Sequence, residues 1–256
     1  PELRSTPYHG AAADAFSPSR VAGWKDPAGG YIHAMHAAHW GGYHYEIYGK
    51  NAPGTLKYDG GWQNNRGGPM HPTDRMVEGI LEELDAPGEW YHDRKAGRLY
   101  FLPPAGLDMA GAACVGVTLS QLVWIKGEEK APVRGIRLEG LVFRHASRTF
   151  MGTDEPLLRS DWTFCRVGAV KFDGAEDCAV SDCEFDQLGG NALLVSGHAR
   201  RIALRGLHVH DTGASGIAFV GKDSAVRNAL RHYDYRLKVG MLDRKPGPKS
   251  EEYPSN

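Results

Sequence analysis

The sequence predicts an all-β protein whose larger part is a solenoid of short stacked coils. Two observations carry this prediction. The first is one motif written three times, as "IALRGLHV", "CAVSDCEF" and "IRLEGLVF". Apolar or thiol side chains fall at Ile202, Leu204, Leu207 and Val209, at Cys178, Val180, Cys183 and Phe185, and at Ile136, Leu138, Leu141 and Phe143, with the copies 24 and 42 residues apart. The second is a neighbouring strand that repeats with it: Val170/Phe172, Leu193/Val195 and Ile217/Phe219, at intervals of 23 and 24. Apolar pairs at a spacing of two belong to strands, because successive side chains of a strand point to opposite faces. Strands that repeat with a short fixed period are the mark of a solenoid, in which a coil buries its apolar face only against its neighbours. Phe143, Phe185 and Val209 are then expected in one inward column. The interval of 42 exceeds a coil by 18 residues, which places an insertion near 148–165.

The remaining elements follow along the chain. Residues 1–30 are rich in Ala, Gly, Pro and Ser and read as loop, with one short helical piece near Ala11–Phe16. Residues 31–110 read as a β-rich subdomain, crowded at first with aromatics and histidines. "YHYEIYG" alternates as a strand does. "RMVEGILEEL", with Met76, Ile80, Leu81 and Leu84, reads as one short helix interrupted by Gly79. "EWYHD" and "RLYFL" flank Lys95-Ala96-Gly97 and form a hairpin. A strand at 121–126 opens the coils, which occupy 111–221. Residues 222–256 break the repeat, are polar, and read as a long loop leading to coils outside this chain. With Pro1 at one end and no capping unit at the other, the chain is expected to be a piece of a longer protein.

Composition narrows the function. The 256 residues carry 30 basic and 31 acidic groups, a net charge of −1, so overall charge directs the chain to neither nucleic acid nor membrane. The basic residues Lys222, Arg227, Arg231, Arg236 and Lys238 read as a solvated loop. No apolar run is long enough to span a bilayer. Cys178 and Cys183 sit at inward positions and read as buried thiols, with a disulfide between them as the alternative.

Three stretches together resemble a known family: "DPAGGYIHAMHAAHWGGYHYEIYGKN", "GGWQNNRGGPMH" with "ELDAPGEWYHDRKAGRLYFLPPAG", and "IRLEGLVFRHAS" leading into the coils. Their combination resembles bacterial right-handed parallel β-helix glycoside hydrolases of the pectate-lyase-like superfamily. It is most similar to glycoside hydrolase family 141, whose members are described as α-L-fucosidases and xylanases. The resemblance covers about residues 20–221. It implies a right-handed parallel β-helix with an accompanying β-rich subdomain, a secreted or periplasmic location, a polysaccharide or oligosaccharide substrate, no cofactor, and a pair of carboxylates acting on the glycosidic bond.

Neighbouring coils of a solenoid lie about 4.8 Å apart, so equivalent side chains form ladders with that step. Two polar columns arise in this way: Arg144, Asp186, His210, and beside it His145, Gln187, Asp211. Asp186, His210 and Asp211 are therefore candidate catalytic residues, and Arg144 and His145 candidate sugar contacts. The competing reading is structural, since Asp186 and Asp211 both shortly precede Gly at a coil turn, where Asp caps its own backbone. A second inventory lies earlier. His36, His39, Trp40, His44, Trp62, Gln63, Asn64, Asn65, Arg66 and His71 offer aromatic platforms and directed hydrogen bonds to a sugar. A polar network that anchors the subdomain explains "WQNNR" equally well. His36 and His39 have a metal-ligand spacing, but no acidic or Cys partner is evident in the sequence, so no metal is expected. Two other classes remain: a non-catalytic polysaccharide-binding β-helix such as an adhesin or tailspike-like module, and a polysaccharide lyase.

Overall fold

The computed structural model describes residues 15–52, 54–64, 67–152, 155–158, 162–230 and 236–256. Strand is their predominant regular structure, and the chain divides into two compact units, Pro1–Cys114 and Val115–Asn256.

The first unit is built on an antiparallel sheet with strands in the order Thr55–Gly60, Gly42–Ala52, Tyr31–His36, Met70–Glu78. Alternation decides its faces: Ile32, Ala34, Tyr43, Tyr45 and Ile47 are buried, with Val21 and Trp24 of the adjoining segment. Tyr43, Tyr45 and Ile47 are thus core. The helix expected over "RMVEGILEEL" does not form. Met76 and Val77 pair with His33 and Ile32 in the strand Met70–Glu78, Gly79 turns the chain at φ +69°, and Leu81–Glu83 forms a single 3₁₀ turn. The helix-like spacing of apolar residues there comes from a strand and a tight turn placed end to end. The helix of this unit is Pro18–Gly23, with Ser17 at its N-cap and Pro at its start. Most of the segment Ala11–Phe16 lies outside the described residues. Trp90–Asp93 and Arg98–Phe101 form the expected antiparallel hairpin.

The second unit is three parallel ladders. One holds Val123–Lys126, Gly168–Glu176, Asn191–Arg200 and Ile217–Val220. The next holds Arg137–Glu139, Ala179–Ser181 and Ala203–Arg205, and the last Val142–Ala146, Glu184–Leu188 and His208–Val209. The chain visits them in constant order, so each repeat adds one strand to each ladder. The registers are those of the repeat: Val123–Val170–Leu193–Ile217, Ile125–Phe172–Val195–Phe219, Leu138–Val180–Leu204 and Phe143–Phe185–Val209. Apart from the exposed end members Ile217 and Phe219, these columns form one continuous core. The Phe143 and Phe185 rings stack at 5.0 Å.

The abrupt turns between short strands have a common cause. Three corners of each repeat carry residues of positive φ, in columns Gly135, Asp177, Arg201, then Gly140, Asp182, Gly206, then His145, Gln187, Asp211. The members of each column are 42 and 24 residues apart, like the repeat itself. A left-handed residue reverses the strand's course within one position, which Gly and Asp tolerate best. The extra residue between Leu204 and Leu207 is this corner.

Other expectations were met in part. The insertion carries a small antiparallel pair, Glu155–Pro156 with Thr163–Phe164. Cys178 and Cys183 are buried free thiols whose S–H groups donate to backbone carbonyls. The segment from 222 onward is not simply a loop leaving the repeat. It returns, and Pro254–Ser255 pairs in parallel with Ala199–Arg200, helped by Arg200, which bonds the Tyr253 carbonyl and the Glu251 carboxylate.

The columns predict a graded core. Phe185→Ala removes a fully buried ring between two neighbours and should cost about 3–5 kcal/mol in denaturant unfolding. Phe219→Ala, at an end of its column and 51% exposed, should cost less than half of that. Equal costs would mean that stacking does not carry the unit's stability.

Candidate functional site

The outer face of the last ladder gathers a group of ionisable side chains around one histidine. Phe143, Phe185 and Val209 point inward, so their sequence neighbours point outward in two columns. One is Val142, Glu184, His208 and the other Arg144, Asp186, His210. Arg144 Nη2 lies 2.7 Å from Asp186 Oδ2. His210 reaches three carboxylates. Its Nδ1 is 2.9 Å from Asp211 Oδ2 and 3.5 Å from Asp186 Oδ1, and its Nε2 is 3.2 Å from Glu184 Oε1. The His208 ring packs against His210 at 4.4 Å. Asp186 is buried under these groups, whereas the Asp211 side chain is 74% exposed. Hydrogen bonds to Asp211 and Glu184 raise the pKa of His210 above its ordinary value, with Asp186 adding charge attraction and desolvation opposing.

The structure therefore brings Arg144, Asp186, His210 and Asp211 together. It does not bring in His145, which shares the left-handed corner column with Gln187 and Asp211, at φ 60°, 51° and 49°. Asp186 is not a turn residue: it lies inside the strand Glu184–Leu188, and the turn belongs to Gln187. Asp211 does occupy the turn. Glu184 and His208 join the group although the alignment of the repeats singles out only the two columns nearest the turn. The signal was present, since both lie two residues before members of the polar column, on the same face of their strands.

The histidines of the first unit behave differently. The Nδ1 atoms of His33 and His44 lie within hydrogen-bond distance at 2.7 Å, and the His44 backbone N–H donates to Gln63 Oε1 at 3.0 Å. Gln63 and Asn64, two members of "WQNNR", are buried. Asn65 and Arg66 lie outside the described residues. Trp62 is partly exposed, and Trp40, 65% exposed, stacks on His36 with the rings nearly parallel at 5.1 Å. His36 and His39 do not act as a pair. His39, at φ +58°, meets Asp74 at 2.5 Å and stacks on His71 at 4.4 Å. Asp74 is the acidic neighbour that the sequence did not reveal. A bulge puts residues 71–74 opposite Met35, because Ala34 pairs with Arg75 but His36 with Met70. The hydrogen bond from His39 holds the Asp74 carboxyl below its usual range. The His71 Nδ1 atom accepts the Asp74 backbone N–H at 2.9 Å, which closes the bulge.

No protein-family profile matches the sequence, and no curated protein matches it. In fold the chain is similar to a solved structure described as "Glycoside hydrolase", with a TM-score of 0.62 and 20% identity. The alignment covers 85% of this chain and 43% of that one, so this chain spans less than half the length of that protein. Among the described residues, no helix is long and apolar enough to cross a membrane.

The half-buried histidine pair predicts an acid limit. Burial, reinforced by His33 and partly offset by Glu78, pushes the His44 pKa down to about 4. The folded state thus holds His44 neutral, while the unfolded chain protonates it below about 6.5. The stabilisation is complete above that pH and is lost as pH falls towards 4, up to about 3 kcal/mol in all. Melts of the parent protein should show this slope between pH 6.5 and 4, and His44→Gln should flatten it. An unchanged slope in His44→Gln would assign the acid limit to other groups.

Proposed function

We propose that this chain belongs to a glycoside hydrolase built on a right-handed parallel β-helix, with Asp186 and Asp211 as its working carboxylates. One observation carries the assignment of roles. Asp186 and Asp211 each bring an oxygen to His210 Nδ1, at 3.5 and 2.9 Å, and offer oxygens within 4.8 Å of one another. Retaining glycosidases use carboxyl groups about 5–5.5 Å apart. Asp186, tied to Arg144, supplies fixed negative charge. Asp211, open to solvent, meets the glycosidic oxygen or water. His210 keeps the two in register and shares its Nδ1 proton with them. The fold likeness to a glycoside hydrolase supports this reading, as do the stretches that resemble family 141. The substrate is then a plant or microbial polysaccharide, fucosidase- or xylanase-like in its bond, and the protein is secreted or periplasmic.

A second reading has its own observation. Asp211 stands in a column whose other members, His145 and Gln187, share its left-handed backbone. On that ground the ladder is structural, and the protein is a polysaccharide-binding β-helix using exposed rings such as Trp40.

Asp211→Asn separates the two, because Asn accepts the left-handed backbone as well as Asp does but carries no charge. In the full polypeptide, hydrolysis of aryl fucosides and xylosides should fall about 10²–10⁴-fold in Asp211→Asn, with melting temperature little changed. Turnover equal to the parent would place the catalytic acids elsewhere. A parent that binds polysaccharide but cleaves none of these glycosides would favour the binding module.

A further inference from the structure

We propose that Glu184, His208 and His210 form a binding site for a divalent transition-metal ion of the zinc type, with Asp211 and Asp186 orienting His210 from behind. The proposal deepens the reading of the same ladder. Four features of the outer face lead to it.

First, the ladder register places the three ligands. Glu184 pairs directly with His208 across neighbouring strands, and His210 follows two residues later on the same face. Their ligand atoms all lie within 4.8 Å of one another. Second, one edge already has the right length. Zinc bonds of about 2.0–2.2 Å to nitrogen and oxygen set tetrahedral ligand atoms about 3.3 Å apart. His210 Nε2 and Glu184 Oε1 are 3.2 Å apart.

Third, His210 is held as a metal-ligating histidine is held. Such residues almost always give their other ring N–H to a carboxylate, which fixes the tautomer and ring plane. His210 Nδ1 faces Asp211 at 2.9 Å and Asp186 at 3.5 Å, and Asp186 is itself fixed by Arg144 at 2.7 Å. The opposite nitrogen is left to point at Glu184. Fourth, the ring nitrogens of His208 have no hydrogen-bond partner among the described residues, although the ring packs against His210. A proton bridging His210 to Glu184 accounts for two of the three residues and leaves His208 without a task. A metal ion uses all three.

The donor set selects the ion. Two imidazoles and one carboxylate suit zinc and its neighbours, whereas calcium and magnesium take oxygen ligands. Three protein ligands on an exposed face leave coordination positions open to water or substrate, as catalytic zinc sites do. The His39–His71–Asp74 group is the rival site in the first unit, since its donor atoms also lie within 4.8 Å of one another. It fits less well, because His71 Nδ1 already accepts backbone N–H groups and the ring's tautomer is set against ligation through Nε2.

The test is zinc titration by calorimetry, with cobalt(II) absorption as the spectroscopic reporter, on the full polypeptide without substrate. The parent should bind one zinc ion at this site, and cobalt should show ligand-field bands. Asp211→Asn should weaken binding about 10–100-fold, as loss of an orienting carboxylate does. His208→Ala and Glu184→Gln should weaken it further than that. His39→Ala and Cys114→Ser, the latter at an exposed free thiol of the first unit, should leave the binding unchanged. Circular dichroism checks that each variant is folded; both ligand positions are solvent-facing. Absence of zinc binding in the parent overturns the proposal. So does binding that survives His208→Ala, or that disappears in His39→Ala or Cys114→Ser. Zinc bound as expected, with unchanged glycoside turnover in Asp211→Asn, would fail the two-carboxylate reading alone. Turnover lost in Asp211→Asn without zinc binding would fail the metal site alone.

Discussion

The second unit depends on one constraint: successive repeats must stack in register, strand on strand, at the spacing of a parallel ladder. A repeat of about 24 residues cannot close a core by itself, and its apolar side chains are covered only by the repeats above and below. Val170, Phe172, Val180, Phe185, Leu193 and Val195 are fully buried for this reason. The same constraint forces the corners. Equivalent backbones lie directly over one another, so one left-handed residue per corner recurs at the same place in each repeat. Where backbones press closest there is no room for a side chain: a Cβ on Gly174 would lie 2.2 Å from the carbonyl carbon of Gly127.

Register also stacks charge, and the ladder must answer for that. Like charges one step apart would repel, so opposite charges alternate along the columns. At one corner Glu176 receives Arg134, His198 and Arg201, while Arg201 also holds Asp177. Glu176 is held below its usual range by these partners, the bond from His198 first. That carboxylate is saturated with donors and reads as scaffold. The Arg144–Asp186–His210 column differs in what remains unsatisfied. Its buried carboxylate has fixed partners, but Glu184, His208 and Asp211 face outward with capacity to spare. A rigid base under an open set of ligands is the arrangement a functional site requires.

The first unit solves a different problem. Its antiparallel sheet packs one face against the Trp24 segment and buries polar groups at an edge. Gln63 shows the cost and a partial remedy: its Oε1 accepts the His44 backbone N–H, while its buried Nε2 has no partner among the described residues. A buried amide is tolerable where it completes hydrogen bonds that the backbone would otherwise lack, and Gln63 does so for His44. His33 and His44 are kept close by the pairing of their strands, where the register sets them directly opposite.

Much of this was legible in the primary structure, because period-2 alternation and a repeat of 24 are local properties of a chain. The inward columns, the insertion, and the meeting of Arg144, Asp186, His210 and Asp211 all follow from aligning the repeats, and the hairpin from the turn between two alternating stretches. The sequence by itself thus determined which residues share a face and which recur in a column. Only tertiary structure decided which of those residues touch. The chain cannot announce that Asp186 is buried and Asp211 exposed, since adjacent columns look alike until the corner turns. It cannot announce that a bulge brings Asp74 to His39 across 35 residues, or that Pro254 returns to the ladder beside Ala199. It also disguised a strand and a turn as a helix at Met76–Leu84. Such outcomes rest on long-range pairing, where neighbours come from distant parts of the chain and local spacing carries no record of them.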